Sequence, residues 1–294
     1  MNIIVTGGAG FIGTNLIKRL VKDNHTVISI DNYNTGKEEN HIEGATYINA
    51  DIRTVVYEDV VDKYLDGNKV DVFYHLAALA RIQPSFDIPL EYFEVNGTGT
   101  YRVVEFCRKN NIKLQYAGSS SHHSGKFKNP YTFSKDIGEE IVSLYQDLYN
   151  LKATITRFYN VYGPHHLKEG GYCTLIGKWE RAYEKNKPMV IYGTGRKHRD
   201  FTHVDDIIDA LILIQKKKKY GYVFELGYGK YWSIKAIYDM FKYDKLIYED
   251  DKPGEAEMTL CSDTLARDIL GWKPYRKIEE YIYNFVKFNN NELI

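Results

Sequence analysis

The first thirteen residues narrow the possible folds more than any other stretch. Ile3-Ile4-Val5 is an apolar run of strand length, Thr6-Gly7-Gly8-Ala9-Gly10 turns the chain, and Phe11-Ile12-Gly13 opens a helical period. A strand that passes through a Gly-rich turn directly into a helix is the opening of a βαβ unit. Glycines at 7, 10 and 13 allow a tight turn, close approach of the backbone to a pyrophosphate, and close packing of helix on strand. An anion at that turn meets free N–H groups and the positive end of the helix dipole. Asp31 follows the next apolar run, Val27–Ile30. A carboxylate there suits hydrogen bonds to both free ribose hydroxyls and repels a 2′-phosphate, so the expected ligand is NAD and not NADP. Gly7, Gly10, Phe11, Ile12, Gly13, Asp31 and Asn32 are the candidate contacts, and Asp51-Ile52, just past the third strand, is placed to flank an adenine.

Strand-length apolar runs alternate with helix-period stretches up to about residue 160. Val70–Leu76, Ile112–Ala117 and Ala153–Phe158 read as further strands, and Tyr92–Arg108 and Ile137–Tyr149 as helices. This alternation predicts an α/β fold, a Rossmann-like doubly wound parallel sheet covered on both faces. After Gly163-Pro164 the rhythm changes, then returns at Val223–Leu226. The expected organisation is a nucleotide-binding domain from residues 1–164 plus about 200–228. A smaller, discontinuous C-terminal domain, about 165–199 plus 229–294, would hold the substrate.

Composition excludes several classes. With 39 Lys and Arg against 39 Asp and Glu, formal charge is zero, so no global field favours nucleic acid or an anionic membrane. The basic run Lys216–Lys219 reads as a solvated helix end. Cys107, Cys173 and Cys261 lack metal-like or disulfide-like spacing and fit reduced thiols of a cytoplasmic protein. The chain enters a strand at once, without a basic leader or long apolar segment, so neither a signal peptide nor a membrane span is expected.

Later segments form an ordered series: Asp31-Asn32-Tyr33-Asn34-Thr35-Gly36, His75-Leu76-Ala77-Ala78, Asn96-Gly97-Thr98, Ser119-Ser120-Ser121 and Tyr131-x-x-x-Lys135. They continue with Arg157 to Pro164, Tyr192-Gly193-Thr194-Gly195, Arg199-Asp200-Phe201 and Pro253-Gly254-Glu255. In this order, across nearly the whole chain, they resemble the extended short-chain dehydrogenase/reductases, specifically the NAD-dependent nucleotide-sugar epimerases and dehydratases. Order matters more than any one motif, because Tyr-x-x-x-Lys occurs seven times here and only Tyr131 opens the helix after the fifth strand.

The resemblance implies roles. Tyr131 is the acid/base, and Ala77, Ala78, Asn96, Tyr131 and Lys135 contact the cofactor. A free phenol titrates near 10 and is a poor base at neutrality. Lys135, one helical turn on, is expected to stabilise the phenolate and hold the nicotinamide ribose. A serine hydroxyl assists; counting from both flanking anchors selects Ser120, with Ser121 the near alternative. Asn160, Arg199 and, more weakly, Lys252 match substrate diphosphate or sugar contacts, Ser121 is placed to touch the sugar, and Arg157 ends its strand structurally. An ion pair of Arg199 with Asp200 or Asp206 is the structural alternative. His122-His123 and His165-His166 read as loop histidines, not metal ligands.

Two departures shape the functional expectation. Only nine residues separate Ser121 from Tyr131, where the family places a longer loop over the sugar. Dehydratases of the family carry Asp-Glu, or Glu, directly after the catalytic hydroxyl; here Ser121 and His122 stand there. Epimerisation at C4 of a UDP-linked hexose through a 4-keto intermediate is thus the leading expectation. A dehydratase or ketoreductase on another nucleotide sugar, and a catalytically silent NAD(H)-binding sensor, are the alternatives. Relatives dimerise by pairing two helices, so a homodimer is expected through 97–110 and 131–149, with Tyr101, Val104, Phe106, Ile137, Ile141 and Leu144 at the contact.

Overall fold

Strands and helices alternate from the first residues, and each apolar strand is claimed by both faces of a sheet. The structure, a computed structural model, describes residues 1–290. In chain order the first part runs β1 (Asn2–Thr6), α1 (Phe11–Lys22), β2 (Thr26–Asp31), β3 (Ala45–Asn49), α2 (Tyr57–Leu65) and β4 (Val72–His75). It continues α3 (Ile82–Asp87), α4 (Pro89–Phe93), α5 (Thr100–Lys109), β5 (Lys113–Ser119), α6 (Pro130–Tyr149) and β6 (Ala153–Phe158). The sheet has seven strands in the order Val223–Leu226, β6, β5, β4, β1, β2, β3. Every neighbouring pair is parallel.

Alternation along β1 explains the layering. Ile3 and Val5 join a core with α1 and the helix α8 (Val204–Lys217), while Ile4 points into the opposite core with Phe73, Val104 and Ile155. Successive side chains of a strand face opposite ways, so one apolar run serves two layers. The chain reverses direction across the sheet between β1 and β4, and the crevice at the carboxyl ends of those strands is where a doubly wound sheet binds its ligand.

The helix expected over Tyr92–Arg108 is interrupted. After α4 the chain makes a π-helical turn, Glu94–Gly99, before α5 resumes. Gly99 permits the close approach there, since a Cβ on it would lie 2.6 Å from Ile52 Cδ1. Val104 and Phe106, expected on an outward helix face, are buried in the sheet core; Tyr101 and Leu144 are exposed. The amphipathic period was real, but its apolar stripe is used inward.

A second core gathers Trp179 from α7 (Leu175–Glu184) with Met189, Ile191, Phe201, Ile237, Phe241 and Ile282. The tail serves both cores: Leu270 and Trp272 pack with α8 on the sheet, and Trp272 Nε1 donates to the Asp206 carbonyl at 2.8 Å. Pro253-Gly254 leans over α3, where a Cβ on Gly254 would lie 3.0 Å from Phe86. This contact closes one side of the crevice. Among the described residues, no helix is long and apolar enough to cross a membrane.

Candidate active site

A cavity of about 430 Å³ runs along the carboxyl ends of the strands, from Asp31 and Asn32 at one end to Arg199 and Glu255 at the other. Gly7 opens one end with φ +73, and its N–H donates to the Ile30 carbonyl at 2.8 Å. A Cβ on Gly13 would lie 2.1 Å from Gly7 O and 2.6 Å from Gly8 Cα, so only glycine fits where α1 meets the turn. The first turn of α1 has no acidic residue and no side-chain cap, which leaves its N–H groups for a ligand anion. Asp31 accepts from Ala9 N at 3.0 Å and Tyr33 N at 2.8 Å. Burial raises its carboxyl above the usual range, and those two N–H groups oppose the rise. Each carboxylate oxygen keeps a second lone pair.

Asn32, Asp51 and Ile52 line the same end. Asp51 is held there by Arg53, whose guanidinium forks onto it at 2.7 and 2.9 Å and brings it down to about 2. Asn32 Nδ2 donates to the same carboxylate at 3.1 Å. Asp51 therefore builds the wall through Arg53 and Asn32, and Ile52 supplies its apolar surface with Leu79 and Val95. A glycine cradle, an uncapped helix start and a buried carboxylate fit the pyrophosphate and ribose of NAD.

Tyr131 sits in the first turn of α6. Asn129 caps that helix by accepting from Thr132 N at 2.7 Å, and Pro130 takes the first helical position. The Tyr131 hydroxyl donates to Ser119 Oγ at 3.1 Å, and Ser121 Oγ lies 2.9 Å from the same atom. The serine touching the phenol is thus Ser119, the last residue of β5, and not Ser120, the residue expected from sequence register. Ser120 lines the cavity one residue later, and its Oγ has no hydrogen-bond partner among the described residues.

Lys135 is buried, donates from Nζ to the Ala117 carbonyl at 2.6 Å and lies 4.3 Å over the Tyr116 ring. Burial pushes its ammonium down to about 8, against the pull of Glu139. Burial also raises Tyr131; the Ser119 hydrogen bond and the Arg81 charge act the other way. Lys135 is anchored to the Ala117 carbonyl at the back of the site, and the Arg81 charge also bears on the phenol.

Asn96 does not reach the cavity wall. Its side chain accepts from Leu79 N at 2.9 Å and donates to Leu79 O at 3.0 Å and Ser134 Oγ at 2.9 Å. All its polar atoms are committed to fixing the segment after β4 that carries Ala77 and Ala78, both cavity-lining, against the helix that carries Tyr131. The π-helical turn presents Asn96 for this task. Beneath it, Thr100, His75 and Thr6 continue the buried chain at 3.0 and 2.7 Å, and burial holds His75 down to about 3, in its neutral form.

At the far end, Asn160 and Arg199 line the cavity. The Asn160 amide, on a residue with φ +28, donates to Asp200 O at 2.8 Å and Thr259 Oγ1 at 2.9 Å. Arg199 pairs with Glu255 at 3.2 Å; Asp200 accepts three backbone N–H groups and Asp206 pairs with Arg276. Lys252 lies outside the wall, its ammonium 3.8 Å over the Tyr192 ring. Arg157 forks onto Glu139 and meets Glu225 at 2.9 Å, a structural role. His122, Asp136 and Glu139 bring ligand atoms within 4.8 Å of one another, although Glu139 is already held by Arg157.

Sequence reasoning missed Arg81, Tyr172 and Thr174, which also line the cavity. Arg81 left a signal: it is the only Asp, Glu, Lys or Arg between Asp71 and Asp87. Tyr172 and Thr174 left none, because they lie in an irregular segment whose path depends on the second core.

Comparison with known proteins agrees with this geometry. Residues 3–227 match the model of the NAD-dependent epimerase/dehydratase family. A putative UDP-glucose 4-epimerase from Methanocaldococcus jannaschii is 32% identical, over 98% of this chain and 99% of its own. A crystal structure of UDP-glucose 4-epimerase from Thermotoga maritima, with UDP-glucose, superposes with a TM-score of 0.91 at 27% identity and full coverage of both chains. The Thermus thermophilus UDP-glucose 4-epimerase in complex with NAD gives a TM-score of 0.87 at 25% identity, again with full coverage of both.

Proposed function

The chain belongs to the NAD-dependent epimerase/dehydratase family, and on that premise we propose that it inverts C4 of a UDP-linked sugar. NAD is the cofactor of the family, and bound in this cavity it supplies reversible hydride transfer at the sugar carbon. The observation that carries the reading is the pairing of Tyr131 with Ser119 in a serine segment without a carboxylate. Tyr131 takes the C4 hydroxyl proton as the 4-keto sugar forms and returns it when the opposite face of that ketone is reduced. Ser119 orients the phenol and shares the proton through its hydroxyl. Ser120 and Ser121 offer hydroxyls to the sugar, and Lys135 holds the coenzyme ribose. Dehydratases of the family place a carboxylate directly after the catalytic hydroxyl, where Ser120 and Ser121 stand, so hydride removal and return is the chemistry these residues support.

At the other end, Arg199 holds the diphosphate, with Lys252 contributing charge from outside the wall and Asn160, its amide spent on Asp200 and Thr259, shaping that wall. Supporting a UDP-sugar are the relatives above, two of them named as UDP-glucose 4-epimerases and one as a putative member of that class. The test is NMR of the sugar ring after incubation with NAD and UDP-glucose, UDP-galactose, their N-acetyl forms and their uronic acids. No inversion at C4 in any of them sinks the reading.

The protein acts as a cytoplasmic homodimer in this proposal. Leu90, Phe93, Tyr101, Ile137 and Ile141 form an outward apolar groove on the face shared by α4, α5 and α6, which a second copy would cover. A monomeric mass by light scattering removes the dimer and leaves the chemistry standing.

A further inference from the structure

Arg81 is the least explained cation of the cavity. It follows the apolar run Leu76–Ala80 and starts α3 with φ 140 and ψ 144, a backbone region that side-chain-bearing residues rarely occupy. From there its Nε donates to the carbonyls of both Tyr172 and Cys173 at 3.1 Å. Its own carbonyl accepts from Tyr92 Oη at 2.9 Å, and the Tyr92 ring stands edge-on to Tyr131 with centroids 6.3 Å apart. Backbone and side chain are thus fixed on both sides, beside the reacting phenol.

The two terminal nitrogens are left over. Among the described residues, Arg81 Nη1 and Nη2 have no hydrogen-bond partner, and no carboxylate lies within ion-pair distance. Arg157 and Arg199 differ: sheltered to 13% and 12% side-chain exposure, each faces a glutamate. A cation in a sheltered wall without a counter-ion is unfavourable until something anionic enters.

Position says which part of a ligand that is. Of the two arginines that line the cavity wall, Arg199 stands at its far end and already engages Glu255. Arg81 is the one beside Tyr131, at the sugar.

Resting on the C4 epimerase reading, we infer that Arg81 receives an anionic group of the sugar, so that the substrate is a nucleoside-diphosphate uronic acid, a sugar whose ring bears a carboxylate. The planar fork of a guanidinium matches a carboxylate through two parallel N–H···O bonds, and a neutral hydroxymethyl group offers no such match.

The test compares UDP-glucuronate and UDP-galacturonate with UDP-glucose and UDP-galactose, using the NAD-loaded enzyme. Calorimetry gives the affinities, and NMR of C4 inversion gives kcat/KM. The uronates are expected to lead by tenfold or more in both. Arg81→Gln should remove most of that lead, and Arg81→Lys should retain part of it, since lysine keeps the charge and loses the fork. Equal affinity of the native enzyme for uronate and hexose overturns the inference, whether or not either variant folds. A preference that survives Arg81→Gln overturns the assignment to Arg81. If no sugar inverts at C4, the epimerase reading fails separately, and the calorimetric preference still decides the charge of the ligand.

Discussion

The two ends of the cavity are made of different materials. At the end proposed for the coenzyme, backbone forms the wall: Gly7, Gly8 and Gly13 leave no space for a side chain, and the start of α1 leaves its N–H groups uncapped. At the end proposed for the sugar, side chains from distant segments converge: Ser119 and Ser120, Tyr131, Arg81, Tyr172, and Arg199 with Glu255. Backbone geometry tolerates few sequences and advertises itself as glycine. A wall of side chains tolerates many, and this is where relatives of one fold diverge in what they accept.

Breaking the coenzyme end should have the largest effect. Gly13→Ala places a methyl against two backbone atoms that cannot move independently of β1 and α1. Coenzyme affinity should fall by more than about 100-fold, or the fold should be lost, both visible in NADH fluorescence titration and thermal unfolding. Normal binding by a folded Gly13→Ala protein would show that the pyrophosphate lies elsewhere.

Next comes Tyr131→Phe, which should leave that end intact. General acid–base assistance contributes about 10²–10⁴-fold, so kcat should fall by about 10² while the NAD dissociation constant changes less than about threefold. Parallel loss of both would mean that the two ends are one mechanical unit.

Lys135 joins the ends, and its burial makes a pH prediction. Its folded pKa, about 8, lies below the unfolded value of about 10.4. Between these values the unfolded chain binds more protons than the folded one, so this group makes stability rise with pH across that window. The difference amounts to at most about 3 kcal/mol. Urea midpoints of the apo protein from pH 7.5 to 10.5 should climb relative to those of Lys135→Met. Parallel midpoints would mean that Lys135 is solvated in solution.

The same contrast explains what was legible in the sequence. Gly7 to Gly13 and Asp31 announce both a local conformation and a ligand, and the sheet order follows from apolar runs whose two faces are both buried. Tyr131 was legible because an Asn-Pro helix start fixes where it stands. Asn96 was legible as a motif but not in its task, because only the π-helical turn reveals that its amide is spent on Leu79 and Ser134. Arg81 depends on a backbone angle that nothing nearby in the sequence demands. Lys252 kept its place in the series, yet an aromatic face at Tyr192 draws its ammonium off the wall.

The smallest expected effect separates two neighbouring serines. Register along the chain favours Ser120, whereas the hydrogen bond to the phenol belongs to Ser119. Side chains alternate at the end of a strand, so one residue of difference moves a hydroxyl from the phenol to the open cavity. Ser119→Ala removes an interaction that holds the Tyr131 pKa down, so kcat should drop about tenfold and its pH profile should shift upward. Ser120→Ala should act mainly on KM, because its hydroxyl is free for the sugar. If Ser120→Ala instead shifts the pH profile while Ser119→Ala leaves it in place, coenzyme binding must rotate the end of β5 by one residue, and the hydroxyl seen on Tyr131 is only its resting partner.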